Sequence, residues 1–230
     1  MISQPPSPYQ DYYDFLAENV ITPFYASRLK KLSELRLNDV LKRKNPYLFK
    51  AKNIELAGEL VKGIVDAHLS SQEETMFGDL LENFAIHVSS QLYGGFKSEL
   101  PSVDLEFQRD EIYYLVGIKS GVHWANADQK SAMKSNFKKA KQYLRENGRA
   151  GEIRAINGCI YGKVNKPLQQ DTDEDKTYYK LAGQDFWAFI SEDEQLYQEI
   201  IVQLTKKPER KVKHSRPLIL QRSMKSQPNL

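Results

Sequence analysis

Apolar positions recur at three- and four-residue spacing over roughly residues 8–44, with Tyr12, Phe15, Leu16, Val20 and Ile21 on one stripe, and this period predicts helix. The stretch RKNPYLFKAKN interrupts the pattern, because Pro46 disfavours helical geometry at Asn45. Asn53 stands where it can cap a second helix over IELAGELVKGIVDAHL. SQEE at Ser71–Glu74 reads as a capping box that starts a third helix. Behind it Met76, Phe77, Leu80, Leu81, Phe84, Ala85 and Val88 form an apolar stripe that ends near Leu92, before two glycines.

The period then changes from helical to alternating. Residues 103–107 and 112–119 are short and rich in β-branched and aromatic side chains, and the polar QRDE between them predicts a hairpin. GVHWANAD reads as a loop. At or near Asp128 begins a basic amphipathic helix, QKSAMKSNFKKAKQYLREN, closed by Gly148. EIRAINGCIYGK predicts a strand, PLQQDTDEDK an exposed acidic loop, TYYKLAGQDFWAFIS a last strand and a turn, and EDEQLYQEIIVQL a terminal helix with acids in its first turn. No internal repeat is present. Helices followed by hairpin, helix, strand, strand and helix make a mixed α/β layer arrangement.

Composition narrows the class. The 230 residues suffice for one domain with a full core, and 40% apolar with 27% charged residues is ordinary for a globular chain. No run approaches the roughly 18 apolar residues of a membrane span, and MISQPPSPYQ lacks the basic and apolar regions of a secretory signal, so a cytoplasmic protein is expected. One cysteine, Cys159, allows neither an internal disulfide nor a multi-cysteine zinc set. The net charge of +3 is unevenly placed: eight Lys/Arg and one acid follow Lys206 inclusive, which leaves the preceding residues slightly acidic. That tail reads either as a solvated terminus or as an arm attracted to phosphates.

The candidate chemistry sits in SVDLEFQRDEIYYLVGIKSGVHWANADQK. Lys119 ends an apolar strand where another valine would be ordinary. Residues two apart share a strand face, so Lys119, Gly117, Leu115 and Tyr113 lie together. With Asp110 and Glu111 at the hairpin tip, Asp104 falls opposite or near Gly117, one step along the ladder from Lys119. On the preceding helix Glu82 has Gly78, Ala85, Ile86 and Ser89 as neighbours, apart from the polar line of Asp79, Asn83, His87 and Ser90. A carboxylate among small and apolar residues is costly unless it meets a cation, and a divalent metal is such a cation. Taken singly, Asp104 also reads as a solvated strand-end acid, Lys119 as a snorkelling lysine and Glu82 as a helix-surface acid.

An aspartate beginning one strand with x-x-Lys ending the next resembles the PD-(D/E)XK nuclease superfamily. NPYLFKAKN, SSQEETMFGDLLENFAI, VDLEF, YYLVGIKSGVHWANADQK, INGCIYGK and GQDFWAFIS are similar, in that order over roughly residues 40–205, to the PmeII-like group of type II restriction endonucleases. The resemblance implies that Asp104 is a metal-binding aspartate, that Lys119 is the catalytic lysine, that the carbonyl of Ile118 is a metal ligand, and that Glu82 is the acid carried on the helix before the hairpin. The sequence departs from the pattern at Gly117, where the superfamily motif is acidic, and at Val103, where a proline is usual. Glu106, on the strand face of Asp104, and Glu82 are the two candidate replacements for the missing acid.

The expectations are then an α/β fold with a restriction-endonuclease-like core, its central mixed sheet flanked by helices, plus an N-terminal helical subdomain. Residues 1–70 are expected to form the helical region, 71–205 the nuclease core and 206–230 the basic tail. The resemblance implies Mg²⁺-dependent hydrolysis of double-stranded DNA at specific sequences by a homodimer in the bacterial cytoplasm. Ser120, His123, Trp124, Asn126 and Gln129 in the loop, Lys130 and Lys134 on the basic helix, and Arg154 and Asn157 on the next strand are candidate DNA contacts. The loop also reads as an ordinary polar loop anchored by Trp124, and the basic helix as a solvated face. No glycine-rich phosphate loop is present, so a nucleotide cofactor is not expected. A structure-selective repair or recombination nuclease, and a non-catalytic DNA-binding module of the same fold, are the alternatives.

Overall fold

The computed structural model describes residues 9–42, 45–52, 56–164 and 178–205. Helix α1 (Gln10–Phe15) passes through a π-helical turn (Leu16–Ile21) into α2 (Thr22–Glu34), and two short helices follow, α3 (Leu37–Leu41) and α4 (Pro46–Ala51). Pro46 opens α4 rather than only ending what precedes it, and the side chain of Asn45 accepts a hydrogen bond from the Tyr47 amide. A proline needs no amide donor in a first helical turn, so the same residue both stops and starts helix.

Helix α5 runs unbroken from Ala57 to Tyr93. The capping box expected at Ser71–Glu74 is therefore not a helix start. Ser71 sits mid-helix, where its carbonyl takes the Thr75 hydroxyl at 3.2 Å. Residue 70, the boundary expected between an N-terminal region and the core, lies inside this one helix. Asn53, the expected cap, lies outside the described residues, as do the expected acidic loop PLQQDTDEDK and the basic tail. Gly94, in the left-handed region at φ 64°, ends the helix as a glycine can at no steric cost.

Among the described residues, five strands form one sheet in chain order: β1 (Phe96–Lys97), β2 (Leu105–Arg109), β3 (Ile112–Lys119), β4 (Ile153–Cys159) and β5 (Tyr178–Ala182). β1, β2 and β3 pair antiparallel, while β3, β4 and β5 pair parallel. The two-residue β1 was not legible in the sequence pattern. The hairpin closes through Asp110 and Glu111 alone, both at positive φ, with Arg109 paired to Ile112. Two central residues at positive φ follow the right-handed twist of the strands.

Helix α6 (Ala127–Glu146) covers one face of the sheet. Met133, Phe137 and Ala140 pack there on Tyr113, Leu115, Ile153 and Ala155. The other face carries α5, the π turn and two C-terminal helices, α7 (Gln184–Ser191) and α8 (Leu196–Thr205), over Leu105, Phe107, Tyr114, Val116 and Ile118. β3 is buried on both faces, and that is why its sequence is a nearly continuous apolar run. The segment after β5, expected to be a turn, is α7, whose Phe186, Trp187 and Ile190 are buried at helical spacing.

One expected solvent line is also corrected. Asp79 and Asn83 face solvent, but His87 lies under α1, stacked on Phe15 with ring centroids 4.0 Å apart. Burial holds its pKa below the ordinary value. A residue pattern on one helix does not reveal that another helix crosses it.

Candidate active site

The strand register builds the site. The last paired residues of the hairpin are Leu105 and Val116, and the Asp104 amide extends the ladder by donating to the Val116 carbonyl at 2.8 Å. One step further the side chain takes over from the backbone: the Ile118 amide donates to Asp104 Oδ2 at 2.6 Å. This fixes the carboxylate at the end of β3. There the Lys119 ammonium lies 3.2 Å from Asp104 Oδ2 and 2.7 Å from the Ile118 carbonyl oxygen. Both side chains keep about a quarter of their surface in solvent, 27% for Lys119 and 23% for Asp104.

Glu82 approaches from the C-terminal half of α5. Burial and the neighbouring Asp104 charge push its pKa above the ordinary carboxylate value, while Lys97 and Lys119 pull it back. Lys97, on β1, donates to Glu82 at 3.5 Å and is itself largely exposed. The site thus holds two electrostatically coupled carboxylates, one strand carbonyl and one lysine. The atoms these groups could offer a metal are oxygens. Mg²⁺ takes oxygen ligands, needs only one or two carboxylates from the protein, and keeps several waters, so Asp104, Glu82 and the Ile118 carbonyl could hold it. Among the described residues no group of three or more His, Cys, Asp or Glu could hold a metal, so a zinc set of side chains has no counterpart here. The Lys119 ammonium already satisfies two of these oxygens as a cation.

Gly117 shows why the motif acid is missing. A Cβ there would lie 2.6 Å from the Ser102 carbonyl oxygen and 3.2 Å from the Phe137 ring. The loop before Asp104 fills the space a side chain would need. Glu106, the other candidate replacement, is 5% exposed, and both its oxygens are engaged: Oε1 by the Ser98 hydroxyl at 2.6 Å and Oε2 by the Tyr113 hydroxyl at 2.8 Å. Burial and Glu106 push the Tyr113 pKa up to about 12, so its phenol remains a donor.

The expected DNA contacts separate into three groups. Ser120, His123 and Trp124 line an open cleft of ≈ 540 Å³ between α5 and the loop after β3, with Lys119 on its wall. Phe77, Gly78 and Tyr161, which the sequence reading did not assign to a site, line it too. The Trp124 ring lies 5.7 Å from the Lys119 ammonium, and its indole donates to Asn157 Oδ1 at 3.2 Å. Asn157 is 1% exposed, so it anchors the loop from beneath and does not face the cleft.

Asn126 and Gln129 form a reciprocal capping box at the start of α6: the Gln129 amide donates to Asn126 at 2.9 Å and the Asn126 amide to Gln129 at 3.0 Å. Lys130 is exposed on the first turns of α6, and the Lys134 ammonium lies 5.7 Å from the Tyr178 ring. Arg154 is paired with Tyr114 of β3 and ion-paired to Glu152. The Lys119 pair, Cys159, is at the other end of β4, about 16 Å away at the usual strand rise. The fold does not bring Arg154 to the site.

A family model described as type II restriction endonuclease EcoO109I matches residues 12–212, which spans both sides of the sheet, the hairpin and α5. No curated protein matches the chain. Among the described residues, no helix is long and apolar enough to cross a membrane.

Proposed function

Because the chain belongs to the type II restriction endonuclease EcoO109I family, we propose that it cleaves double-stranded DNA at a specific sequence with Mg²⁺, through a site of the PD-(D/E)XK kind with PmeII-like phrases. The single observation that carries this reading is the convergence of Asp104, Lys119 and Glu82 at one end of the hairpin, with the Glu82 carboxyl pushed up in part by Asp104. A carboxylate raised in part by a second one has an evident use when a cation joins them.

Asp104, Glu82 and the Ile118 carbonyl would hold the metal, with Glu82 in place of the acid that Gly117 cannot carry. A Mg²⁺ held there would supply charge neutralisation at the scissile phosphate and a lowered pKa for a bound water. Lys119 presents a fixed positive charge at the mouth of the cleft, where it stabilises negative charge added to the phosphate and can orient the attacking water. Asp104 holds that lysine in place through their 3.2 Å ion pair. Trp124, tied to Asn157, walls the cleft beside the lysine with the exposed His123, and Lys130, exposed on the first turns of α6, is a further candidate phosphate contact. Cutting both strands of a palindrome calls for two such sites related by a two-fold axis, hence a homodimer.

Gly117 favours one rival, a DNA-binding module that has lost catalysis. Incubation of a plasmid of known sequence with Mg²⁺, followed by mapping of the ends, separates the two. Discrete fragments with a common terminal sequence support the proposal. Intact plasmid with retained DNA binding supports the rival, and preferential cutting of branched DNA supports a structure-selective nuclease.

A further inference from the structure

A carboxylate that is 5% exposed and bonded to two neutral hydroxyls is an expensive group to keep in a core. Glu106 is such a group, and its hydrogen bonds lead to the metal-binding aspartate. Ser98 Oγ donates to Glu106 and accepts from the Leu100 amide at 3.0 Å. The Ser98 amide donates to the Asp104 carbonyl at 3.2 Å, and the Val103 amide donates to the Leu100 carbonyl at 3.1 Å. Residues 98–104 are therefore a closed loop fastened at its base to Glu106.

Two further contacts hold the loop's apex. Ser102 adopts φ 63°, and its hydroxyl accepts from Asn136 Nδ2 of α6 at 2.8 Å. Its carbonyl rests on Gly117, which alone among residue types leaves room for it. The product of this fastening is the placement of Asp104, whose Oδ2 meets the Ile118 amide and Lys119.

We infer that Glu106 is a positioning residue: through Ser98 it fixes the loop that sets the Asp104 carboxylate at the end of β3, and it does not itself bind the metal. This rests on the reading of Asp104 as a metal ligand. A direct ligand would need an oxygen free to face the metal, and both Glu106 oxygens face hydroxyls. Groups that orient a ligand matter nearly as much as the ligand, since a carboxylate displaced by about 1 Å no longer meets the cation and substrate in productive geometry.

The test is Mn²⁺ binding to the full chain without DNA, followed by electron paramagnetic resonance, in Ser98→Ala, Ser98→Thr, Glu106→Gln, the Ser98→Ala/Glu106→Gln double variant and Asp104→Asn, with thermal unfolding of each. Ser98→Ala and Glu106→Gln should each weaken Mn²⁺ binding by about 10- to 100-fold, as loss of an outer partner does. The double variant should be no worse than the weaker single one, because both remove the same connection. Ser98→Thr, which keeps the hydroxyl, should bind as wild type does. Loss of affinity in Glu106→Gln with none in Ser98→Ala would overturn the inference and make Glu106 a ligand. Lower melting temperatures with unchanged Mn²⁺ affinity in both would overturn it in favour of a purely structural role. Wild-type affinity in Asp104→Asn would overturn the reading of Asp104 itself, and the inference with it.

Discussion

Lys119 Nζ stands 3.2 Å from Asp104 Oδ2, although fifteen residues separate the two in the chain. The distance is set by register: the hairpin tip at Asp110 and Glu111 places Leu105 against Val116, and the next residues outward then meet at the open end. A lysine held there is charged, partly desolvated and close to the only two acidic groups proposed to hold a metal. Its proposed role and its ion pair are one arrangement.

Glu82 should matter far more than a neighbouring surface acid. Glu82→Gln is expected to lose most cleavage and to weaken metal binding, whereas the exposed Asp79→Asn should do neither. The pH dependence has a definite sign. A carboxyl whose folded pKa lies above its ordinary 4.5 contributes stability that is present below that value and lost as pH rises through the folded pKa. Ionised Glu82 therefore opposes folding of the metal-free protein at neutral pH. Thermal unfolding should show Glu82→Gln at least as stable as wild type at neutral pH without metal, while Mg²⁺ affinity of the wild type falls as pH drops through the raised pKa.

Restoring the motif acid should not help. In Gly117→Asp the new Cβ meets the Ser102 carbonyl at 2.6 Å, and a backbone atom cannot rotate away. Overpacking of this kind costs about 1–3 kcal/mol, and here it displaces the loop that carries Asp104. Lower denaturation midpoints and lower activity are expected together. Activity above wild type would show that the loop yields.

Asn126 tests whether a loop amide reads bases or closes a helix. Its side chain caps α6, and loss of an asparagine cap costs about 1 kcal/mol. Asn126→Ala should lower stability by that amount and leave the set of cut sites unchanged. Cleavage at relaxed or altered sequences, measured on a DNA with many sites, would assign Asn126 to base recognition instead.

The sequence was most legible where a strong local period met a buried face. The stripe from Phe77 to Val88, the hairpin and the convergence of Asp104 with Lys119 all follow from spacing alone. Ser71–Glu74 misled because a capping box is recognised by residue types, and the same types are tolerated on the exposed side of a long helix. Asn157 read as a polar contact because a sequence cannot show that Trp124 and the Gly117 carbonyl sit above it. Lys97 left no signal, since a two-residue strand has no period to read. The engagement of Glu106 depends on Ser98, eight residues away across a loop, and no local rule pairs them.

Single-turnover cleavage of a plasmid by Lys119→Ala, with DNA binding measured in parallel, tests the account most directly. The lysine's side chain contacts two oxygen atoms and the Trp124 ring and belongs to neither buried core cluster, so folding and binding to the recognised sequence should persist. Removing a charge that acts on the transition state should slow cleavage by about 100-fold or more. Cleavage near the wild-type rate would contradict the assignment of Lys119, and with it the site built around Asp104.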